Sequence, residues 1–228
     1  HLDSTLSYDM GGGLLATSKV ENDYDTWSLT PRVNLTHRLF GLEADTVAGL
    51  DLYRTEFAST RDYFGVTRLD LDQDSRAVYA QSSLRLRPAT TLTVGARRQW
   101  VDQAATRTAS TDLDNDQARS AWDLGVSHQI AGGPRLFARH GAVFRFAKSD
   151  ELTTFTGLGV PLRPEHGTSN ELGADWSGNR GRLQATLYRQ ALKDEIAYNA
   201  NPDGDWNTWD GRNENLQRTR HIGLALEG

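Results

Sequence analysis

The stretch LRPEHGTSNELGADW, Leu162 to Trp176, passes from loop to strand within a few residues. Its first half carries Pro164, Gly167 and Ser169, residues suited to turns. Its second half sets Leu172, Ala174 and Trp176 at every second position, with Glu171, Gly173 and Asp175 between them. Successive side chains of a β-strand point to opposite faces, so this spacing makes one apolar face and one polar face. Which of the two meets water decides the fold.

The same period of two recurs along the whole chain, and a 3.6-residue period never persists for two turns. About ten strands are expected, near residues 2–10, 24–38, 43–57, 75–87, 90–100, 119–130, 135–146, 170–177, 182–198 and 216–227. Most keep their apolar residues on one parity: Trp27, Leu29, Val33 and Leu35; Leu92, Val94 and Ala96; Trp122, Leu124, Val126 and Ile130; Leu183, Ala185 and Leu187; Ile222, Leu224 and Leu226. The opposite faces carry Asp, Glu, Arg, Gln and Ser.

Composition narrows the choice. Only 37% of the 228 residues are hydrophobic, fewer than a soluble protein of this size usually needs to fill a core. The net charge of -5 and the lack of a basic cluster argue against a nucleic-acid partner. With no cysteine, disulfide frameworks, thiolate metal sites and cysteine nucleophiles are excluded. No run of about 18 apolar residues is present, so a transmembrane helix is not expected. The chain opens on HLDSTLSYDM, strand-like and without a signal peptide, and reads as a mature chain or an excised piece.

The connections between the expected strands alternate strictly in length. Short ones fall at 39–42, 88–89, 131–134 and 178–181, and long ones at 11–23, 58–74, 101–118, 147–169 and 199–215. A β-sandwich has no reason to sort its loops in this way. A transmembrane barrel does, with short periplasmic turns and long extracellular loops. The long connections are rich in Asp, Asn, Gly, Thr and Ser, as solvated tips should be. Trp27, Trp100 and Trp122 fall beside long loops and Trp176 beside a short turn, the positions of interfacial aromatic girdles. The expected fold is therefore all-β: an antiparallel up-and-down transmembrane β-barrel, apolar outward and wet inside. His140 and His128 fit it badly, because both have outward parity.

The residues also resemble a known family. AVYAQSSLRLRPATTLTVGARRQW, Ala77 to Trp100, is similar to a hairpin of TonB-dependent outer-membrane receptors, with Tyr79, Gln81, Leu92, Gly95 and Arg97 in the matching places. LFARHGAVFRFAKSDEL resembles the family's strand ending in Phe-Arg, here Phe144 and Arg145 followed by Glu151 and Leu152, with Ala147 where Pro is usual. Leu162, Pro164, Glu165, Glu171, Leu172 and Gly173 match its Leu-x-Pro-Glu and Glu-Leu-Gly signature. ATLYRQALKDEIAY and NENLQRTRHIGLALEG continue the order, with Ala225 where Glu is common.

This resemblance implies a receptor and transporter in the outer membrane of a Gram-negative bacterium, not an enzyme. It would take up a scarce nutrient, such as an iron-siderophore, cobalamin or a similar chelate, and draw energy from the TonB complex through an N-terminal plug. Residues 1–228 would form a single segment, about ten strands of a larger barrel, lacking the plug and the C-terminal strands. The competing readings are a complete ten-stranded barrel acting as a surface protease and a soluble β-sandwich binding module.

Within the long loops, Trp206 and Trp209 of NPDGDWNTWDG are the candidate ligand contacts, because a flat aromatic face can stack on a macrocycle or chelate. His166, Tyr63 and Phe64 are weaker candidates of the same kind. DLDQDS (70–75), DLDND (112–116) and NPDGD (201–205) space oxygen ligands two apart, as calcium loops begin. Their sixth positions are Ser75, Gln117 and Trp206 rather than Gly, which excludes an EF-hand; a looser loop-bound calcium is the one cofactor reading left open. No Gly-x-Ser-x-Gly elbow and no His-x-x-x-His spacing occurs, so no catalytic or metal residues are assigned. Gly11-Gly12-Gly13 lacks the Lys of a phosphate loop and reads as a turn.

Overall fold

Period-two patterning becomes strand along nearly the whole chain. The structure is a computed structural model that describes residues 2–9, 15–62, 66–108, 112–152, 161–178, 181–205 and 211–228, giving backbone alone for residues 2–9, 15–18 and 150. Its strands are β1 (Leu2–Asp9), β2 (Leu15–Leu29), β3 (Arg32–Leu39), β4 (Leu42–Asp62), β5 (Val66–Arg87), β6 (Thr90–Arg107), β7 (Leu113–Gln129), β8 (Arg135–Arg145), β9 (Glu165–Gly178), β10 (Gly181–Asn199) and β11 (Arg212–Glu227). They form one antiparallel up-and-down sheet in the order β1-β2-β4-β5-β6-β7-β8-β9-β10-β11, with β3 also on β4.

The expected strand over 24–38 is interrupted, and Pro31 is the reason. Leu29 pairs with Leu52 and Arg32 with Gly49, so β2 and β3 keep one register along β4. Proline has no N–H for the ladder, but its carbonyl still accepts from the Leu50 N–H at 3.0 Å. The two segments therefore act as one strand, and ten positions across the sheet result.

The short turns lie where the sequence places them. Leu39 pairs with Leu42, leaving Phe40 and Gly41 as a two-residue hairpin turn with φ of 52° and 81°. Two successive positive φ values belong to the type I′ turn, whose twist matches that of the flanking strands.

The long connections are shorter than expected, and this corrects the sequence reading. Residues 66–74, 101–107 and 113–118 are strand, so the acidic runs at 70–75 and 112–116 lie largely within β5 and β7 rather than on loop tips. Trp100 accordingly stands seven residues before the end of β6, not at it. The polarity of the two faces reverses at this level. On the outer face of β6, Leu92, Val94, Ala96 and Trp100 give way to Asp102. On its inner face, Arg97 and Gln99 give way to Val101 and Ala105, each only 1% exposed. The neighbours follow: Trp27 gives way to Asp25 and Asp23 on β2, and Trp122 to Ser120 and Asp116 on β7. A strand that leaves a bilayer for water must exchange its outward apolar residues for polar ones.

Above that level the inner apolar residues have a partner. Leu71, Ala105, Leu113 and Ile196 of the wall enclose Ala147, Leu152 and Leu162, with Phe57 packed against the group. Residues 146–152 and 161–164 of the connection after β8 are thus folded over the inner face instead of standing free as a solvated loop. Its ends are held by amides of the wall: Gln103 Nε2 donates to the Ala147 carbonyl at 3.1 Å, and Gln117 Nε2 to the Leu162 carbonyl at 2.6 Å. Room for it exists because β8 pairs with β7 only as far as Ala142 opposite Trp122, while β7 runs on to Leu113.

Candidate functional site

The inner face of the sheet is the candidate functional surface, and its lower part is a ladder of charged and amide groups. Arg97 Nη1 donates to Asp51 Oδ2 at 2.5 Å across two strands, and the guanidinium lies 5.7 Å from the centre of the Tyr79 ring. Asp175 accepts from both Arg182 at 2.8 Å and Arg135 at 3.1 Å. Arg139 faces Asp123 at 3.7 Å. Opposite charges on adjacent strands neutralise one another here while leaving many donors and acceptors open to water.

Aromatic residues lie across this face, each over a glycine on the neighbouring strand. Tyr79 covers Gly49, Phe137 covers Gly173 and Tyr188 covers Gly223; a Cβ at any of these glycines would collide with the ring. Gly95 is required for a different reason, since a Cβ there would stand 2.6 Å from Asp123 Oδ1. The bare glycines are what let the rings lie flat against the wall.

Higher on the same face is a recess of about 600 Å³ lined by Tyr24, Phe57, Gln73, Arg145, Phe146 and Lys148, among others. That volume lies within the ordinary range for a small-molecule site. Arg145 is fixed beside it by Glu151 at 2.7 Å and Glu165 at 3.3 Å. The apolar cluster forms one border, because Phe57 and Ala147 belong to both. Aromatic rings and fixed cations in one recess can stack on a flat ligand and pair with its acidic groups.

Of the residues singled out in the sequence, Tyr63, Phe64, Trp206 and Trp209 lie outside the described residues. His166 is half-buried at the start of β9, with Nδ1 3.2 Å from the Pro164 carbonyl and 3.8 Å from Asp194. It shares a cross-strand row with Phe144 and Lys193 and does not line the recess. Asp194 is held chiefly by Arg163, whose Nη2 donates at 2.6 Å; that hydrogen bond keeps its carboxyl below the usual carboxylate range. Among the described residues no group of three or more His, Asp or Glu side chains is arranged to hold a metal. The sequence reading did not single out Tyr24, Phe57, Phe146 or Lys148 as site residues. The only signal for Tyr24 and Phe57 was aromatic character on the parity opposite Trp27 and Leu52, which one strand alone cannot assign to a recess.

The two histidines of outward parity keep the expected register; both are exposed, and each has a ring nitrogen held by a polar neighbour. His140 Nδ1 lies 2.8 Å from Asn170 Oδ1, and its ring meets Trp122 edge-on at 5.3 Å. His128 Nδ1 lies 2.9 Å from Thr90 Oγ1.

An up-and-down sheet with an apolar outer band, interfacial tryptophans and a polar inner wall defines the class: a wall segment of an outer-membrane β-barrel. Residues 2–228 match the family described as TonB dependent receptor-like, beta-barrel, and the chain belongs to that family. Solved structures agree on the fold. The copper transporter OprC is 17% identical with a TM-score of 0.71, covering 98% of this chain and 38% of that one. The ferripyoverdine receptor of Pseudomonas aeruginosa, solved with ferripyoverdine bound, is 12% identical with a TM-score of 0.69, covering 92% and 31%. The alcaligin outer-membrane receptor FauA of Bordetella pertussis is 16% identical with a TM-score of 0.68, covering 94% and 38%. The chain thus spans about a third of the length of these structures. No curated protein matches it.

Proposed function

We propose that residues 1–228 are one segment of a larger barrel in a Gram-negative outer membrane, and that the whole receptor imports a small chelate or cofactor with energy from the TonB complex. The observation that carries this reading is the inner recess, where Tyr24, Phe57 and Phe146 stand beside Arg145 and Lys148 above a wall of charged and amide groups. An iron-siderophore or a similar acidic, partly aromatic chelate suits those contacts. The similar solved structures named for ferripyoverdine and copper support a metal-bearing cargo. Contact with TonB would run through a plug N-terminal to this segment. Trp206, Trp209, Tyr63 and Phe64 are proposed as further ligand contacts, together with His166 at the start of β9.

This reading is of a transporter with no resident cofactor. Growth on single iron or cofactor sources, with and without the gene, identifies the cargo. With the cargo in hand, Phe57→Ala and Arg145→Gln should each weaken its binding to the intact receptor at least about tenfold. Growth and uptake that do not depend on the gene for any chelate or cofactor would remove the proposal. Loss of uptake on chelator treatment, restored by calcium alone, would add a structural cation at the acidic runs.

A further inference from the structure

The apolar rows of the inner face give way to a polar one at the extracellular end. Tyr24, Phe57, Leu71 and Ala105 face one another across β2, β4, β5 and β6. One pleat further from the membrane, the next row on that face is Asn22, Ser59, Leu69 and Arg107. Arg61 follows Ser59 by two residues, so it stands beyond it on the same face. Strand spacing puts the Ser59 Cα about 10 Å from that of Arg107 and about 7 Å from that of Arg61. Both long side chains can converge on the hydroxyl.

Two observations mark this corner as incomplete. Ser59 is only 3% exposed, and its Oγ has no hydrogen-bond partner among the described residues. A buried hydroxyl without a partner is destabilising, and alanine at this position would carry no such cost. Arg107 is half-buried beside Arg61: burial first, and then the charge of Arg61, push its guanidinium below the ordinary range. Arg68, at the same level on the outer face, is pushed the other way by its hydrogen bond to Asp70. Among the described residues no Asp or Glu lies on the inner face of β2, β4, β5 or β6 between this row and the Arg97–Asp51 pair. Arg145 of the recess differs, since Glu151 and Glu165 already hold it.

We propose that Ser59, Arg61 and Arg107 bind the phosphate of a phosphate monoester whose aromatic part lies on Phe57. Water would satisfy the hydroxyl and leave the two guanidiniums repelling one another. A carboxylate brings two coplanar oxygens and a single charge. A phosphate monoester brings three terminal oxygens and a charge of about -1.5 to -2, enough for two guanidiniums and a hydroxyl at once. Buried Leu69, between Ser59 and Arg107 in the row, gives the corner an apolar floor that strengthens such pairing. Phe57 stands one pleat below Ser59, about 7 Å away, so an aryl phosphate can touch both. The inference rests on the reading that the inner face receives cargo, and it names the group that cargo carries.

The test is isothermal titration calorimetry of the full receptor in detergent with phenyl phosphate, benzoate and inorganic phosphate. Phenyl phosphate should bind at least about tenfold more tightly than benzoate, and should weaken as sodium chloride is raised. R61Q and R107Q should each weaken it about tenfold, and S59A about threefold. F57A should weaken phenyl phosphate and leave inorganic phosphate unchanged. R68Q, which removes a paired cation of the outer face, should bind as wild type. Wild-type affinity in R61Q/R107Q overturns the proposal, as does unchanged affinity in S59A. Equal binding of benzoate assigns the corner to a carboxylate and overturns it too. If R107Q fails to form the heat-modifiable barrel, R61Q, at an exposed position, must show the tenfold loss and R61K must restore part of it; an unchanged R61Q overturns the proposal. A receptor that supports gene-dependent growth yet binds no phenyl phosphate refutes this inference alone. One that binds it through Arg61, while growth on every iron and cofactor source is independent of the gene, leaves the site standing and refutes the transport reading.

Discussion

Gly173 shows how one missing side chain shapes the inner wall. A Cβ there would collide with the Phe137 ring and stand 2.6 Å from the Ala185 carbonyl. Gly173→Val should therefore destabilise the assembled barrel by about 1–3 kcal/mol, read as a lowered urea midpoint for loss of the heat-modifiable form. Adding Phe137→Ala should recover part of that loss, and no recovery would show that the ring is not the obstacle. Asp194 carries a pH dependence at the same scale. Its carboxyl is held below the ordinary range by the hydrogen bond from Arg163, so its stabilising contribution is complete above that range and is lost as pH falls through its lowered folded value. The Arg163 N–H, donated to Asn215 Oδ1 at 2.8 Å, should stay protected from exchange at neutral pH and lose protection in strong acid. In Asp194→Asn that acid-dependent step should disappear.

At the scale of elements, the described residues after β8, up to Leu152 and from Pro161, behave as part of the wall. Leu152 and Leu162 are 0% and 1% exposed, and the carbonyls at both ends of the segment are held by Gln103, Asn115 and Gln117. Leu152→Ala should cost about 2–5 kcal/mol of local stability, seen as faster amide exchange at 147–152 while the membrane-level strands keep their protection. The outer faces of β7 and β10 give a contrasting expectation. Leu124 and Leu187 are 47% and 53% exposed and lie within the apolar band, so Arg at either position should destabilise insertion by about 2–4 kcal/mol. Unchanged barrel yield after Leu124→Arg would mean that this face does not meet lipid.

At the scale of the molecule, the sheet order ends at β1 on one side and β11 on the other, with no pairing between them among the described residues. Unpaired strand edges are not tolerated in a hydrocarbon layer, where no water can satisfy their N–H and C=O groups. Residues 1–228 expressed alone should therefore fail to give a monomeric, heat-modifiable barrel in detergent or vesicles. The full receptor should give one. A monomeric barrel formed by this segment alone would contradict an open wall and favour a self-contained one.

Alternation of residue character determined the strands and their faces by itself, because a period of two needs nothing beyond one strand to be visible. Leu172, Ala174 and Trp176 against Glu171, Gly173 and Asp175 already state that one face is apolar and one polar, and the sorting of turns and loops states which is wet. The same signal misleads where polarity reverses: 66–74 and 101–107 read as solvated loops because their charged residues lie outward above the bilayer level and their apolar ones turn inward. Whether Leu71, Ala105 and Leu113 are buried depends on what lies over them, and the covering residues, Leu152 and Leu162, come from some forty to ninety positions away. The recess between Tyr24, Phe57 and Arg145 has the same origin, as it joins β2, β4 and the end of β8. Only the tertiary structure brings such distant segments together, because contacts across a wall depend on register and strand tilt, and neither is written into any single strand.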